Sequence, residues 1–514
     1  MQLLRRLLLP VDALIDRIGM YRLVLYYLRF LVAAAAVLSF FHVLHYNALE
    51  IVASAVGLVA VCWGANWVFG RWFNAPTNHE SATITALILT LIITPDLTPV
   101  NVLFMIAAGG LAMASKYVLA VGRKHVFNPA AIAVVLTAIG PQQAASWWVG
   151  TAAMLPFVLV GGLAVVRKIR RGRMVCTFFA AAALATVVYA LFGGSDVLGS
   201  LRSLALTSSL FFLGFVMLTE PLTTPPTAHT RAWYAILVGV LLPPQVHLFG
   251  WYSTPELALV AGNIFAYVVS PKVKLFLTVR SKEPITPDSA DFVFMPERPL
   301  HYKPGQYMEW TLPDEHSDNR GNRRYFTLAS SPTEPELRIG VKFYERSSSY
   351  KAALLSIDSQ TPVVAAQLAG DFTLPDDPAQ KLVFIAGGIG VTPFRSMAKY
   401  LIDKQEHRTV TLLYSVHTPD DIAYREVFEE ARRTAGLDTT YVLTGSNGAS
   451  QSALPHSHHG RITAQLIQQT VPDYLERTFY LSGTHGMVTA MQQTLHELGV
   501  ARSQIKTDFF SGYA

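Results

Sequence analysis

The uneven distribution of apolar residues is the feature that most constrains this chain. From about Phe30 to Ser270, apolar runs long enough to cross a hydrocarbon layer of ~30 Å follow one another. From Lys272 onward, charged and apolar residues alternate as they do in soluble domains. The 514 residues are 51% hydrophobic, which is high for a soluble protein of that length. A membrane-embedded half therefore meets a water-soluble half near Pro271.

The first half, residues 1–271, is predicted to be an α-helical polytopic membrane domain of about ten spans. The predicted spans lie near residues 30–46, 51–70, 81–95, 99–120, 127–140, 146–166, 174–192, 206–219, 232–250 and 256–271. Segments 81–95 and 127–140 are shorter than the ~20 residues that a perpendicular helix needs. We expect such short segments to be tilted, broken or re-entrant, and to line a site.

Basic residues give an independent prediction of topology. If the N-terminus lies inside, the loops after even-numbered spans hold nearly all the basic residues of this half, and the opposite loops hold only Arg202. We therefore expect a multi-pass protein of the cell membrane, in a bacterial inner membrane, with both termini cytosolic. Because the net charge of +6 arises partly in these loops, it indicates topology and not a nucleic-acid partner.

Composition also limits which redox centres the chain can hold. Its two cysteines, Cys62 and Cys176, are too few for an iron–sulfur cluster that needs four thiolates. The histidines near the membrane lack the paired spacing of haem ligands, and the run at His456, His458 and His459 lies in a Ser- and Gly-rich loop. No metal site is predicted, so flavin or quinone remains as the membrane carrier.

Three polar clusters interrupt the apolar half. They are Asn78–Ser81, His125–Pro129 and Thr219–Pro221, each beside a proline or a short span. Polar groups are costly in a membrane without cause. The residues alone leave two interpretations open: caps at the membrane edge, or half-helix ends that bind an anionic group such as a flavin phosphate.

A resemblance to a known family bears on these clusters. The runs 79–95, 127–131 and 215–221, with Arg231–Tyr234 and Gly239, resemble the B subunit of sodium-pumping NADH:quinone oxidoreductase and the D subunit of Rnf complexes. The resemblance covers about residues 75–271. It implies ten helices and a flavin that is bound in the membrane and passes electrons. The membrane flavin candidates that it implies are Asn78, Ser81, Asn128, Thr151 and Glu220.

The chain departs from that family at two points. Many members attach FMN to a threonine of a Ser/Thr-Gly-Ala-Thr motif, whereas this chain reads Ala-Ser-Trp-Trp-Val-Gly-Thr-Ala at 145–152, with Thr151 the nearest candidate. Glu220 replaces an aspartate and keeps the carboxylate. These departures leave two expectations open, a non-covalent FMN or riboflavin or no membrane flavin at all, and sodium pumping is unsupported.

The second half carries a group of residues suited to FAD. In 323–327 an arginine fork suits a pyrophosphate, an aromatic ring can lie against the isoalloxazine, and a hydroxyl can bond its ring nitrogen. A helix start at 347–354 offers free amides and hydroxyls to a phosphate. The predicted FAD-binding residues are Arg324, Tyr325, Phe326, Thr327, Ser348, Ser349 and Tyr350.

A strand, a glycine turn and a helix follow one another at 381–394. This order lets backbone approach a dinucleotide pyrophosphate, and two more strands end in polar residues at 414–415 and 482–484. Because ligands of open parallel sheets bind at the carboxyl ends of strands, we expect a nicotinamide nucleotide there. The predicted nucleotide-binding residues are Gly387, Gly388, Gly390, Thr392, Pro393, Tyr414, Ser415, Gly483 and Met487.

Residues 272–514 together resemble the ferredoxin-NADP reductase family. The resemblance implies an antiparallel FAD-binding β-barrel, residues 272–375, and a doubly wound α/β NAD(P)-binding domain, residues 376–514. It places Asp508 and Phe510 at the family's terminal acidic and aromatic positions beside the flavin, and Ser482 where the family often has cysteine. The catalytic candidates are Thr327, Ser482 and Phe510.

We expect NADH rather than NADPH, because Arg425 is the first permanent cation after Ser415. The predicted function is hydride transfer from NAD(P)H to FAD on the cytosolic side, followed by electron passage to a membrane flavin, a quinone or an extracytoplasmic flavoprotein. Two alternatives stay open: a redox-driven ion or solute transporter, and a subunit of a larger electron-transport complex. The expected surroundings are a lipid bilayer and other electron-transport subunits.

Overall fold

A computed structural model describes most of the chain and divides it into two compact units. The described residues are 15, 18–73, 79–121, 124–140, 143–248, 251–271, 273–313, 318, 321–345, 347–445 and 455–508. The division falls between Val273 and Lys274, next to the boundary expected after Pro271.

The first unit is built from helices. They are α1 Met20–Phe40, α2 Ala48–Trp72, α3 His79–Ile92, α4 Pro99–Val118, α5 Pro129–Ile139, α6 Leu155–Ile169, α7 Gly172–Phe192, α8 Val197–Leu206, α9 Leu210–Phe212 with the π-helical turn Leu213–Met217, α10 Ala228–Leu241 and α11 Pro255–Val269. Two short hairpins accompany them, β1 Ala120–Val121 with β2 Lys124–His125, and β3 His247–Leu248 with β4 Trp251–Tyr252.

The number of membrane spans differs from the expectation. A helix lies in each of the ten predicted segments. Within the described residues, however, only α1, α2, α4 and α7 are long and apolar enough to cross a membrane, and α8 with α9 and its π-helical turn would make a fifth span bent by 55°. Helices α3 and α5 have 14 and 11 residues. At ~1.5 Å per residue neither crosses a ~30 Å core, so length and composition show four to five candidate spans among the described residues, fewer than the ten expected.

Helix α5 illustrates how sequence sets a helix start in this unit. The Asn128 side chain accepts a hydrogen bond from the Ala131 amide at 3.0 Å, and Pro129 occupies the first helical position. Asparagine satisfies an amide that the helix leaves unpaired, and proline supplies a backbone angle that suits the first turn. Asn128 is thereby fixed at the start of a short buried helix.

The second unit contains two sheets. Its elements are β5 Lys274–Thr286, β6 Ser289–Pro296, β7 Tyr307–Thr311, β8 Arg323–Thr327, β9 Leu337–Lys342, α12 Ser349–Ser356, β10 Val363–Ala369, β11 Leu382–Gly387, α13 Thr392–Lys404, β12 Val410–Val416, α14 Arg425–Thr434, β13 Leu437–Leu443, β14 Ser457–His459, α15 Ala464–Thr470, β15 Thr478–Ser482, α16 His485–Glu497 and β16 Ile505–Asp508.

The first of these sheets is antiparallel, in the order β8-β7-β10-β5-β6-β9. Strands β8 and β9 form its two edges in the described part of the chain, so the sheet is a half-barrel and not the closed barrel that was expected. The second sheet is parallel throughout, in the order β14-β13-β12-β11-β15-β16. A parallel sheet with helices between its strands is the predicted doubly wound arrangement.

Strand β11 lies at the centre of the parallel sheet because it is apolar on both faces. Leu382, Phe384 and Ala386 pack into one core, and Val383 and Ile385 into another. Successive side chains of a strand point to opposite faces, so a continuous apolar run requires cover on both sides. The glycine turn that follows β11 is therefore held on a rigid, fully buried support.

Close packing between α7 and α10 yields a test of the first unit. A side chain at Gly239 would lie 2.7 Å from the Phe178 carbonyl oxygen and 2.8 Å from Ala181 Cβ, whereas nothing lies within 4 Å of one at Gly57. We expect Gly239→Leu to lower the free energy of unfolding by about 1–3 kcal/mol or more, because overpacking strains a filled interface. Gly57→Leu is the matched control. Equal melting temperatures of the two variants in detergent would contradict this packing.

Candidate functional site

The carboxyl edge of the parallel sheet gathers most of the predicted nucleotide residues. In the register of β11 with its neighbours, Ala386 lies opposite both Tyr414 and Ser482, and Gly387 lies opposite Ser415. Strand β16 extends the row, because Ser482 lies opposite Asp508. Residues far apart in sequence thus meet at one edge, where ligands of such sheets bind.

Glycines allow two backbone segments to touch at this edge. Gly388 has a φ of +52°, in the left-handed region that glycine adopts without strain. A Cβ at Gly390 would lie 2.6 Å from Gly483 Cα and 2.7 Å from its nitrogen. Thr392 and Pro393 then begin α13. Gly390 thus has no space for a side chain, and Gly388 has a backbone conformation that favours glycine, so the backbone of the turn stays open to close approach of a pyrophosphate.

An open cleft of about 210 Å³ lies over this turn. It is lined by Gly387–Ile389, Ser415–His417 and Met487 from the parallel-sheet part, and by Asp288 and Lys342 from the antiparallel sheet. Both sheets therefore contribute walls to one cleft.

Tyr414 and Arg425 do not line the cleft. Tyr414 is fully buried and its hydroxyl accepts a hydrogen bond from the Ala423 amide at 3.2 Å, so it supports the cleft from beneath. Arg425, the cation weighed for nucleotide choice, does not line the cleft, whereas Lys342 does and lies 2.6 Å from the Asp288 carboxylate. No motif pointed to Lys342, because it lies on an antiparallel strand that is remote in sequence from the glycine turn.

The predicted FAD residues cluster around Tyr350. The Arg324 guanidinium carbon lies 4.9 Å from the centroid of the Tyr350 ring, and the Phe326 ring lies 6.0 Å from it. Tyr325 packs edge-on against Tyr307 instead, at 5.6 Å. Arg324 is 6% exposed, so little water surrounds its charge. A buried guanidinium of this kind would bind an anionic group strongly.

The start of α12 is engaged by a carboxylate that sequence analysis missed. Ser348 caps the helix by accepting from the Lys351 amide, at 3.4 Å. The Ser349 amide donates to Asp318 Oδ2 at 3.2 Å, and the Asp318 amide donates to Ser349 Oγ at 2.9 Å. An anion thus already occupies the helix start expected to hold a phosphate. Only the tertiary fold brings Asp318 to this place.

Thr327 and Asp508 meet although they are 181 residues apart. The Thr327 hydroxyl donates to Asp508 Oδ2 at 3.1 Å, and both groups are buried. Burial raises the pKa of Asp508 to about 7, and the hydrogen bond from Thr327 opposes that rise. With Ser482 beside Asp508 in the register, three predicted residues form one group. Phe510 lies outside the described residues.

Two of the membrane candidates also lie together. The Asn128 amide nitrogen donates to Glu220 Oε2 at 2.8 Å, and His125 Nε2 lies 3.4 Å from Glu220 Oε1. Thr223 donates to the same carboxylate at 3.2 Å, and the Asn128 backbone amide donates to Asn263 at 2.8 Å. Thr223 and Asn263 had no sequence signal, since neither belongs to a polar cluster containing a candidate.

The remaining membrane candidates have separate environments. Ser81 Oγ accepts from the Lys116 ammonium at 3.1 Å, and the charge of Lys116 also acts on Glu220. The Thr151 hydroxyl is buried and has no hydrogen-bond partner among the described residues. Asn78 lies outside the described residues. No group of metal-ligating side chains occurs in the part of the chain that is described.

The raised pKa of Asp508 predicts a pH dependence of stability. Since folding raises this pKa from 3.8 to about 7, the stabilising contribution of the carboxyl is complete below pH ~4 and is lost as pH rises through about 7. Asp508→Asn cannot titrate. We expect the flavin-free wild type to melt progressively below this variant as pH rises from 5 to 8. A melting-temperature difference that stays constant over that range would contradict the assignment.

Comparison with known proteins agrees with this geometry. Residues 384–493 match the family described as oxidoreductase NAD-binding domain. A flavohemoprotein from Bacillus subtilis is 28% identical over 235 residues, which cover 45% of this chain and 58% of that protein. The glycine betaine monooxygenase reductase subunit of Chromohalobacter salexigens is 28% identical over 228 residues, covering 43% and 60%.

A solved structure is also similar. The flavohem-like FAD/NAD-binding domain of nitric oxide dioxygenase from Vibrio cholerae is 21% identical, covers 46% of this chain and 97% of its own, and has a TM-score of 0.40. The chain spans about three-fifths of the length of the two curated relatives above. The family match and the two curated relatives support an FAD- and NAD(P)-binding oxidoreductase module of the ferredoxin-NADP reductase type in the C-terminal half of this protein.

Proposed function

We propose that the whole chain is a membrane oxidoreductase. Its C-terminal module takes a hydride from NAD(P)H onto FAD at the cytosolic side, and the N-terminal helices pass the electrons into or across the membrane. One observation carries the proposal most directly: the nucleotide cleft lies at the same sheet edge as the buried Thr327–Asp508 pair.

The residues of the module have distinct roles in this proposal. Arg324 would hold the FAD pyrophosphate by charge-assisted bonds. The start of α12 at Ser348 and Ser349 would also bind the pyrophosphate, which would replace the Asp318 carboxylate there. The Gly387–Gly390 turn would receive the pyrophosphate of the nicotinamide nucleotide. FAD, when bound, supplies a centre that accepts a hydride and releases electrons singly.

Proton handling falls to Asp508. A carboxyl with a pKa of about 7 is partly protonated at neutral pH, so it can hold or release a proton at Oδ2, where Thr327 donates to it. Ser482, in register with Asp508, would orient the nicotinamide. Phe510 follows in sequence and keeps its proposed place beside the flavin.

NADH remains the proposed donor. Among the described residues that line the cleft, Asp288 and Asp421 carry negative charge, and Lys342 is already paired with Asp288. A 2′-phosphate would meet two carboxylates and one neutralised lysine, whereas a free ribose hydroxyl would not be repelled.

In the membrane half we propose a non-covalent FMN or riboflavin. The Asn128–Glu220 group offers hydrogen-bond donors and an acceptor that fit a neutral ring, while a phosphate would be repelled by the carboxylate. Lys116 beside Ser81 is the cation that would suit a phosphate. A quinone or an extracytoplasmic flavoprotein is the proposed acceptor. The ten segments expected from the sequence, each of which contains a helix, are proposed to lie in a bacterial inner membrane, with both termini cytosolic.

A second function is favoured by the likeness to a monooxygenase reductase subunit. In that case the chain would be one subunit of a larger electron-transport complex, and its module would reduce a partner protein. Copurification of a redox-active partner would support this alternative.

The FAD site yields the test of the proposed function. Arg324→Ala should weaken FAD binding about 10- to 100-fold and abolish NADH oxidation at limiting FAD, because a hydrogen bond to a charged group contributes ~1.5–3 kcal/mol. Arg280→Ala is the matched control, since Arg280 pairs with Glu336 in the same sheet and is 60% exposed. Flavin content and dye-linked NADH oxidation of the detergent-purified protein measure the effect. Full flavin content in Arg324→Ala would refute the assignment.

A further inference from the structure

The Tyr424 side chain, from the parallel-sheet part, contacts the buried Asp291 carboxylate of the antiparallel sheet. Tyr424 lies directly before α14, and its hydroxyl donates to Asp291 Oδ1 at 2.5 Å. Asp291 belongs to β6 and is 2% exposed. A hydrogen bond from a half-buried tyrosine to a buried carboxylate therefore joins the two parts of the module.

The conformation of Tyr424 is unusual. Its φ is +57°, in the left-handed region that bulky residues rarely adopt. Its hydroxyl lies against Gly340 of β9, which faces Asp291 in the strand register, and a Cβ at Gly340 would collide with that hydroxyl. Strained backbone persists only where surrounding contacts enforce it. Here the enforcing contacts are the bond to Asp291 and the space that glycine leaves.

Charged groups around the pair keep both partners in place. Arg338 Nη1 lies 3.7 Å from Asp291 Oδ2 and 2.7 Å from Glu283 Oε2. On the other side, the Arg395 guanidinium lies 5.9 Å from the centroid of the Tyr424 ring and pairs with Glu334. Removing the hydroxyl would leave a buried carboxylate without its short hydrogen bond, which is costly.

The loop of residues 417–424, which ends at Tyr424, forms one wall of the nucleotide cleft. His417, Asp421 and Ala423 line the cleft, and the Ala423 amide is also bound by the Tyr414 hydroxyl. The loop is therefore fixed from two sides, by Tyr414 from its own sheet and by Tyr424 from the opposite sheet. Since one peptide bond separates Ala423 from Tyr424, movement of the Tyr424 side chain moves the cleft wall.

We propose that the Tyr424–Asp291 hydrogen bond positions the 417–424 wall of the cleft against the antiparallel sheet, and so sets the distance between nicotinamide and flavin. This inference rests on the proposed function. Tyr424 is a positioning residue, because it acts through the loop and not on the nucleotide. Hydride transfer requires close alignment of donor and acceptor, and a displacement of ~1 Å can reduce its rate ~100-fold.

The test is stopped-flow reduction of FAD in the detergent-purified full-length protein at saturating NADH, with protio and 4-deuterated NADH. We expect Tyr424→Phe to retain FAD but to reduce it at least about 10-fold more slowly, with an increased primary isotope effect. Asp291→Asn keeps an acceptor oxygen and should reduce FAD at close to the wild-type rate. Gly340→Ala, whose Cβ would displace the hydroxyl and also lie 2.9 Å from Thr392 Cγ2 at the nucleotide turn, should show at least the Tyr424→Phe defect.

Tyr480→Phe is the matched control. Its hydroxyl is also buried and donates to the Thr373 carbonyl at 2.7 Å, so its loss should lower the melting temperature alone. A wild-type rate and isotope effect in Tyr424→Phe, or the same defect in Tyr480→Phe, would overturn the inference. A wild-type protein whose FAD is not reduced by NADH would instead refute the proposed function.

Discussion

Parallel strand alignment is the constraint on which the C-terminal module depends. Because β11, β12, β15 and β16 run in the same direction, their carboxyl ends lie in one row, and residues from Gly387 to Asp508 converge there. The apolar faces of β11 hold this row rigidly between two cores. A site built on such an edge needs few special residues. It needs glycines where backbones touch and polar groups where the strands end.

In the roles proposed above, Asp508 takes part in the chemistry of the module and Asp291 in its assembly. Asp508 has a pKa near neutrality because burial disfavours its charge, and among the described residues the Thr327 hydroxyl is its side-chain hydrogen-bond partner. Burial also raises the pKa of Asp291, although Tyr424 and the nearby arginines oppose the rise. A buried carboxyl such as Asp508, with one neutral hydrogen-bond donor, can exchange a proton near neutral pH. A carboxylate such as Asp291, near several donors and cations, is better suited to a permanent structural contact. Similar burial thus serves two ends, according to what surrounds each carboxyl.

Features that depend on neighbouring residues in the sequence, such as turns and apolar helices, were predicted correctly. The strand–turn–helix order at 381–394 indicated the glycine turn, and apolar runs located a helix in each expected segment. Resemblance to a reductase family placed Thr327 and Asp508 each beside the flavin, but the hydrogen bond between them is seen only in the folded chain. What could not be predicted depends on distant contacts: Asp318 at the start of α12, Lys342 in the cleft, and Asn263 behind Asn128. The edges of the antiparallel sheet also emerge only from the folded chain, whereas the shortness of α3 and α5 was expected from segments 81–95 and 127–140.

Electron passage through the N-terminal helices is the central claim, and vesicles test it most directly. The full-length protein would be reconstituted with its module outward, NADH added outside, and a membrane-impermeant one-electron acceptor such as ferricyanide trapped inside. A bilayer core of ~30 Å prevents direct contact between module and acceptor, so reduction of the trapped acceptor requires a carrier within the membrane half. The account predicts NADH-dependent reduction of the trapped acceptor. Reduction of external ferricyanide alone would contradict it.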